Sequence, residues 1–185
     1  MRNALTLVAY AVYSAAWLLL IFLVNSAAPP PEFSKAVVVW AMAIIGTTIP
    51  VVNYLNSPSE DRTSLTLSAC LLATAGWVTF ILLTYFAVPT VGPRWLFFAV
   101  WFTALTGTAI PFARYLNLRF GKSLPPESVL LRQSIWVGLF GATCAWLQLG
   151  RALNWATGLL LAAALVAIEI FLLLRARSRW RPDDS

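Results

Sequence analysis

Apolar residues dominate six stretches of the chain, approximately 4 to 26, 35 to 56, 64 to 87, 95 to 117, 128 to 149 and 153 to 175, and prolines and charges collect between them. Each stretch holds roughly 20 residues, enough as an α-helix rising about 1.5 Å per residue to cross a hydrocarbon core of about 30 Å. The connectors are short and carry helix breakers: Ala-Ala-Pro-Pro-Pro-Glu at 27 to 32, Asn-Ser-Pro-Ser at 56 to 59, Val-Pro-Thr-Val-Gly-Pro at 88 to 93 and Leu-Pro-Pro-Glu at 124 to 127. The pattern predicts an all-α integral membrane protein with six transmembrane helices in one membrane domain, residues 1–185.

Within that pattern one stretch is written twice. Trp40-x5-Gly46-Thr47-x-Ile49-Pro50-x3-Tyr54-Leu55-Asn56 returns sixty-one residues later as Trp101-x5-Gly107-Thr108-x-Ile110-Pro111-x3-Tyr115-Leu116-Asn117, and Val39 and Ala43 recur as Val100 and Ala104. Trp77 follows Trp17 by sixty residues, so the duplicated unit is a helical hairpin, residues 1–61 and then 62–122. A unit of two spans preserves orientation, which makes this a parallel and not an inverted repeat. Residues 123–175 read as a third, divergent hairpin, and residues 176–185 as a basic tail. Three hairpins of this kind suit an arrangement about a pseudo-threefold axis along the membrane normal.

Composition agrees with the membrane reading. Sixty per cent of the residues are apolar and eleven per cent charged, with a mean hydropathy of +0.78, values outside the soluble norm. Arg2 and the small residues Ser26-Ala27-Ala28 imitate a signal peptide, but an apolar core of over about 20 residues suits a retained first helix. Charge sets the orientation. With the N-terminus in the cytoplasm, ten of the thirteen basic residues lie inside and only Lys35, Arg94 and Arg151 lie outside. Both termini are therefore expected in the cytoplasm, with a bacterial inner membrane as the expected location. The net charge of +6 follows from this topology and from attraction to anionic headgroups at the tail of Arg175, Arg177, Arg179, Trp180 and Arg181, and gives no argument for nucleic acid.

Chemistry-bearing residues are few. There is no histidine, and the two cysteines, Cys70 and Cys144, fall at different depths of different helices, too far apart for a disulfide. Thiolate or imidazole metal sites, cofactor ligation and Ser-His or Cys-His catalysis therefore lack their parts. Two-carboxylate catalysis lacks a second deep acid, and no glycine-rich phosphate loop is present. The expectation is no enzyme, no catalytic residue, no metal and no cofactor.

Three features remain as candidates. The first is a pair of aromatic and hydroxyl stripes at helical spacing, Tyr10, Tyr13 and Trp17 in the first helix and Thr66, Thr74 and Trp77 in the third, joined by Trp40 and Trp101. They line a ligand site or simply pack. The second is the proline with glycine four residues back, Pro50 with Gly46 and Pro111 with Gly107. A ring inside a helix frees the carbonyl at i−4, and a glycine there leaves it open to a neighbouring helix. A kink is predicted in both even helices, either for packing or as a hinge on a polar path.

The third is Glu169, the only acid well inside an apolar stretch, six residues or roughly 9 Å from Arg175. In register with the second hairpin, Pro111 falls on Phe171 and Ala109 on Glu169, so a carboxylate appears where the motif is lost. A deep acid needs a partner or a proton, and Arg132 and Arg114 stand at compatible depth, giving a structural clamp or a proton-sensitive gate. The sequence accordingly reads as a small permease or a membrane-embedded binding protein for a weakly polar or aromatic molecule. The alternative is a non-catalytic accessory or assembly subunit of a larger membrane complex; the expected partners are the lipid bilayer and either other membrane proteins or further copies of the chain.

Overall fold

In a computed structural model the chain is all-helical, with six helices: α1 Arg2–Ala27, α2 Phe33–Asn56, α3 Ser64–Phe86, α4 Arg94–Phe120, α5 Glu127–Leu149 and α6 Trp155–Ser178. The structure describes residues 2–27, 33–56, 64–86, 94–120 and 125–178. The proline connector at 29 to 31 and the tail residues Arg179, Trp180 and Arg181 lie outside them. Long apolar helices follow from the composition, because a backbone in hydrocarbon must satisfy its own N–H and C=O groups.

Five of the six helices are long and apolar enough to cross a membrane. The fifth, α5, has the length at 23 residues but not the apolarity. Glu127, Arg132, Gln133, Ser134 and Gln148 interrupt it, so the six expected helices are all present and five of them have both the length and the apolarity of a span.

The helices pack serially. α3 and α4 share the broadest interface, α5 covers the other side of α4, α2 touches both α3 and α4, and α1 and α6 stand at the margins. No residue in the apolar stretch of α6 is buried. Among the described residues no broad contact joins the first two helices to the last two.

Small residues decide which pairs are close. A Cβ added at Gly76 would fall 2.5 Å from the backbone nitrogen of Ala104, and one at Gly107 would fall 2.8 Å from Cα of Ala73. Ala73 and Ala104 are fully buried. This reciprocal glycine–alanine contact lets the backbones of α3 and α4 meet, which is how helices associate where lipid removes the hydrophobic drive between them. The same device recurs between α4 and α5, where Gly138 lies against Thr106 and Gly141 against Leu105.

The first hairpin lacks it. Sixty residues before Ala73 and Gly76 stand Tyr13 and Ala16, and the large Tyr13 holds α1 away from α2. The two are joined instead through long side chains: Trp17 meets Trp40 edge to face at 6.2 Å, and the Tyr13 hydroxyl reaches Thr47 at 2.6 Å. Two stretches of matching sequence therefore pack differently against the helix that precedes each. Trp17, Trp40, Ala43, Ala73, Trp77, Phe80 and Ala104 belong to the main core, between α1 and α4.

Between α5 and α6 the turn is closed by Arg151 N–H to the Gln148 carbonyl at 3.0 Å and Ala152 N–H to the Leu147 carbonyl at 2.9 Å. This double bond pattern is the glycine-type helix stop, with its left-handed residue being Arg151 at φ 55°. Asn154 then caps α6, accepting the Thr157 N–H at 2.8 Å while Thr157 Oγ1 accepts the Asn154 N–H at 2.9 Å.

Candidate functional site

Pro50 and Pro111 both lie inside their helices, and the consequence of the first is visible at mid-span. The carbonyl that Pro50 leaves without its helical donor is that of Gly46. It accepts the hydroxyl of Thr108 from α4 at 2.9 Å. Thr108 Oγ1 in turn accepts the indole N–H of Trp77 from α3 at 3.0 Å. Trp77 is 2% exposed and lies against Gly46, where a Cβ would overlap its ring. Glycine and proline thus act together: one releases a carbonyl, the other gives an indole room beside it. The single Thr108 proton is shared with a second acceptor, the Ala104 carbonyl at 2.9 Å.

Thr47 occupies the equivalent place in α2 and meets a different partner. Its hydroxyl donates to the Ala43 carbonyl at 2.8 Å and accepts from Tyr13 of α1, which also reaches Thr48 at 3.1 Å. The duplicated threonines therefore anchor two neighbours by two chemistries, a phenol on one side and an indole on the other.

The stripe residues divide accordingly. Tyr10 donates to Asn56 at 3.3 Å, and Trp40 donates its indole N–H to Tyr85 at 2.8 Å. Trp101 lies 5.6 Å from Trp77 and 4.9 Å from Phe80 in an aromatic cluster between α3 and α4. Thr66 is buried, whereas Thr74 is exposed on its helix and does not join the others. Seven of the eight expected lining residues are thus engaged by or buried between helices. A cleft of about 220 Å³ lies elsewhere, lined by Arg94, Phe98, Trp146, Leu149 and Gly150, and none of the eight reaches it.

Replacing Thr108 with Val keeps the shape and deletes both the donor to Gly46 and the acceptor for Trp77. Interhelical polar bonds in membranes are worth about 0.6 kcal/mol on average and up to about 1.7. The expected loss is about 1 to 1.5 kcal/mol of unfolding free energy in detergent micelles, whereas Thr103→Val, at a hydroxyl that bonds only its own helix at the Ala99 carbonyl, should change little.

The deep acid has its partner in α5. Arg132 grips Glu169 with two parallel bonds, Nε to Oε2 at 2.9 Å and Nη2 to Oε1 at 2.8 Å. The indole N–H of Trp136 adds a third at 2.9 Å. A planar guanidinium matched to a carboxylate is the strongest form of such a pair. The side chains remain 32% and 15% exposed respectively. Arg114, the other arginine at this depth, has an interaction of its own. α6 meets the bundle chiefly through α5, and this trio is a polar tie between the two.

Sequence reasoning missed Trp136 as the third donor, although its spacing of four residues after Arg132 places it on the same face. It also missed the bond between Asn117 and Gln133 at 2.9 Å, which joins α4 to α5. No group of three or more His, Cys, Asp or Glu side chains assembles among the described residues, and both cysteines are free, with Cys70 donating to the Pro50 carbonyl at 3.2 Å. Comparison of the chain with protein-family models, with curated proteins and with solved structures found no match.

Proposed function

We propose that the chain is a non-catalytic accessory or assembly subunit of a membrane complex, with both termini in the cytoplasm of a bacterial inner membrane. One observation carries this reading. The hydroxyls and indoles at mid-span, the groups that a solute site would present, bond one another across α1, α2, α3 and α4. Polar groups spent in this way hold helices together. The marginal helices α1 and α6 meanwhile offer long apolar faces, on which Leu18 and Leu160 are exposed.

The second reading, a permease or binding protein for a weakly polar or aromatic molecule, is favoured by one specific feature. α1 is held on α2 by side chains and not by backbone contact, so Tyr13 and Trp17 occupy a space that a solute of similar chemistry would fit on their displacement. Photocrosslinkers at Leu18 and Leu160 in native membranes separate the two. Discrete heavier adducts with another polypeptide, or with a second copy, are expected. Adducts with lipid alone, together with a small molecule that stays through purification and is lost from Tyr13→Phe, would replace this reading with the second.

A further inference from the structure

One end of the helices is marked by three exposed tryptophans, Trp95 at the start of α4, Trp146 near the end of α5 and Trp155 at the start of α6. Exposed indoles at a common end mark the headgroup level of a bilayer, where their rings sit half in lipid and half in water. The cleft of about 220 Å³ opens at this level, between the first turn of α4 and the last turn of α5.

Its walls are of two kinds. Phe98 and Trp146 stand 5.2 Å apart at 50° and form an apolar floor, which the exposed Leu149 continues towards the lipid. At the lip stands Arg94, the first residue of α4. A helix start adds free backbone N–H groups and the positive end of the dipole to that charge. Among the described residues no acid lines the cleft. Among the described residues neither the Arg94 guanidinium nor the Trp146 indole N–H has a hydrogen-bond partner, so both donors are available to a ligand.

We propose that this cleft is a binding site for the headgroup of an anionic glycerophospholipid of the phosphatidylglycerol type. The phosphate lies against Arg94 and the α4 start, the glycerol rests on Phe98 and Trp146, and the acyl chains leave past Leu149. A volume of this size admits several waters, or a phosphoglycerol group in their place. Basic pockets between membrane helices hold anionic headgroups for the same reason. A choline or ethanolamine headgroup gains less, because its cation meets Arg94 and finds no carboxylate.

The test is lipid retention by the full-length protein. Delipidated protein in detergent is titrated with phosphatidylglycerol and, separately, with phosphatidylcholine of the same chains, and bound lipid is counted by native mass spectrometry. The first phosphatidylglycerol is expected to bind about fivefold more tightly than phosphatidylcholine, the effect of one basic residue near the surface. Arg94→Gln should erase that difference. Leu149→Glu, which sets a carboxylate at the exposed rim without touching the fold, should reverse it. Equal retention of the two lipids by the unaltered protein overturns the site. So does a preference that survives both substitutions, which would assign the lipid to the basic residues at the other end.

Discussion

Gly76→Ala is expected to destabilise the protein by up to about 2 kcal/mol, although it replaces the poorest helix former short of proline with the best. The sign is decided by two competing terms. Helix propensity favours alanine by about 1 kcal/mol. Against it, the new Cβ would sit 2.5 Å from the backbone nitrogen and 2.6 Å from Cα of Ala104, distances at which one backbone has to move away from the other. Overpacking of this kind costs about 1 to 3 kcal/mol and occasionally more, and neither atom is the end of a flexible side chain. The cost also spreads, because the α3–α4 interface is the broadest in the molecule and the Trp77–Thr108–Gly46 bonds depend on its spacing.

Gly158→Ala provides the opposite sign. The nearest atom to a Cβ there is Leu153 Cδ1 at 4.0 Å, an ordinary contact, so the propensity term stands alone and a gain of up to about 1 kcal/mol is expected. Reversible unfolding in mixed micelles, followed by tryptophan fluorescence, measures both. Two glycines of one chain changing stability in opposite directions would show that backbone approach, and not helix formation, governs α3 and α4. A neutral Gly76→Ala would sink that account.

That interface also shows how far the sequence could be read. Six helices were legible because apolar runs of membrane length have few other structures available to them. The pairing of Glu169 with an arginine was legible because a deep carboxylate has few other partners. The duplicated motif was visible as a repeat, but its use was not. Periodicity tells which residues share a face of one helix, and says nothing about which neighbour that face meets. Gly46 and Gly107 are equivalent in sequence, yet one receives the Trp77 ring and the other the backbone at Ala73.

The difference originates outside the motif, in the exchange of Tyr13 for Ala73 between α1 and α3. For the same reason Thr74 shares a sequence stripe with Trp77 but ends exposed. α5 was read as a sixth apolar span from its length. Its polar residues make it less apolar than the other five, and three of them, Arg132, Gln133 and Ser134, turn to neighbouring helices or to the helix itself for their bonds.

Arg132→Met is expected to cost more than Glu169→Gln, although both delete the same ion pair. Without Arg132, Glu169 keeps only the Trp136 N–H and remains a charge in a site where it is 15% exposed. Removing one member of a buried pair costs about 3 to 5 kcal/mol, and the residual exposure of this one brings the expected loss down to about 2 to 3. In Glu169→Gln the Trp136 bond survives with an amide oxygen as acceptor. Arg132, near the start of α5 and 32% exposed, extends its long stem to water, so the loss is about 1 kcal/mol.

The double variant Arg132→Met/Glu169→Gln leaves no charge uncompensated and should recover most of the stability lost by Arg132→Met alone. A double-mutant cycle on unfolding equilibria then returns a coupling of about 2 kcal/mol. Strong coupling makes this trio the tie that holds α6 to α5, consistent with the absence of buried residues along the apolar stretch of α6. Cysteine crosslinking between the two helices would then be efficient in the unaltered chain, weakest in Arg132→Met, and intermediate in the double variant, where the Trp136 bond alone remains. Additive single effects would leave α6 held by lipid and apolar contact alone, and would remove Glu169 from any clamp or gate.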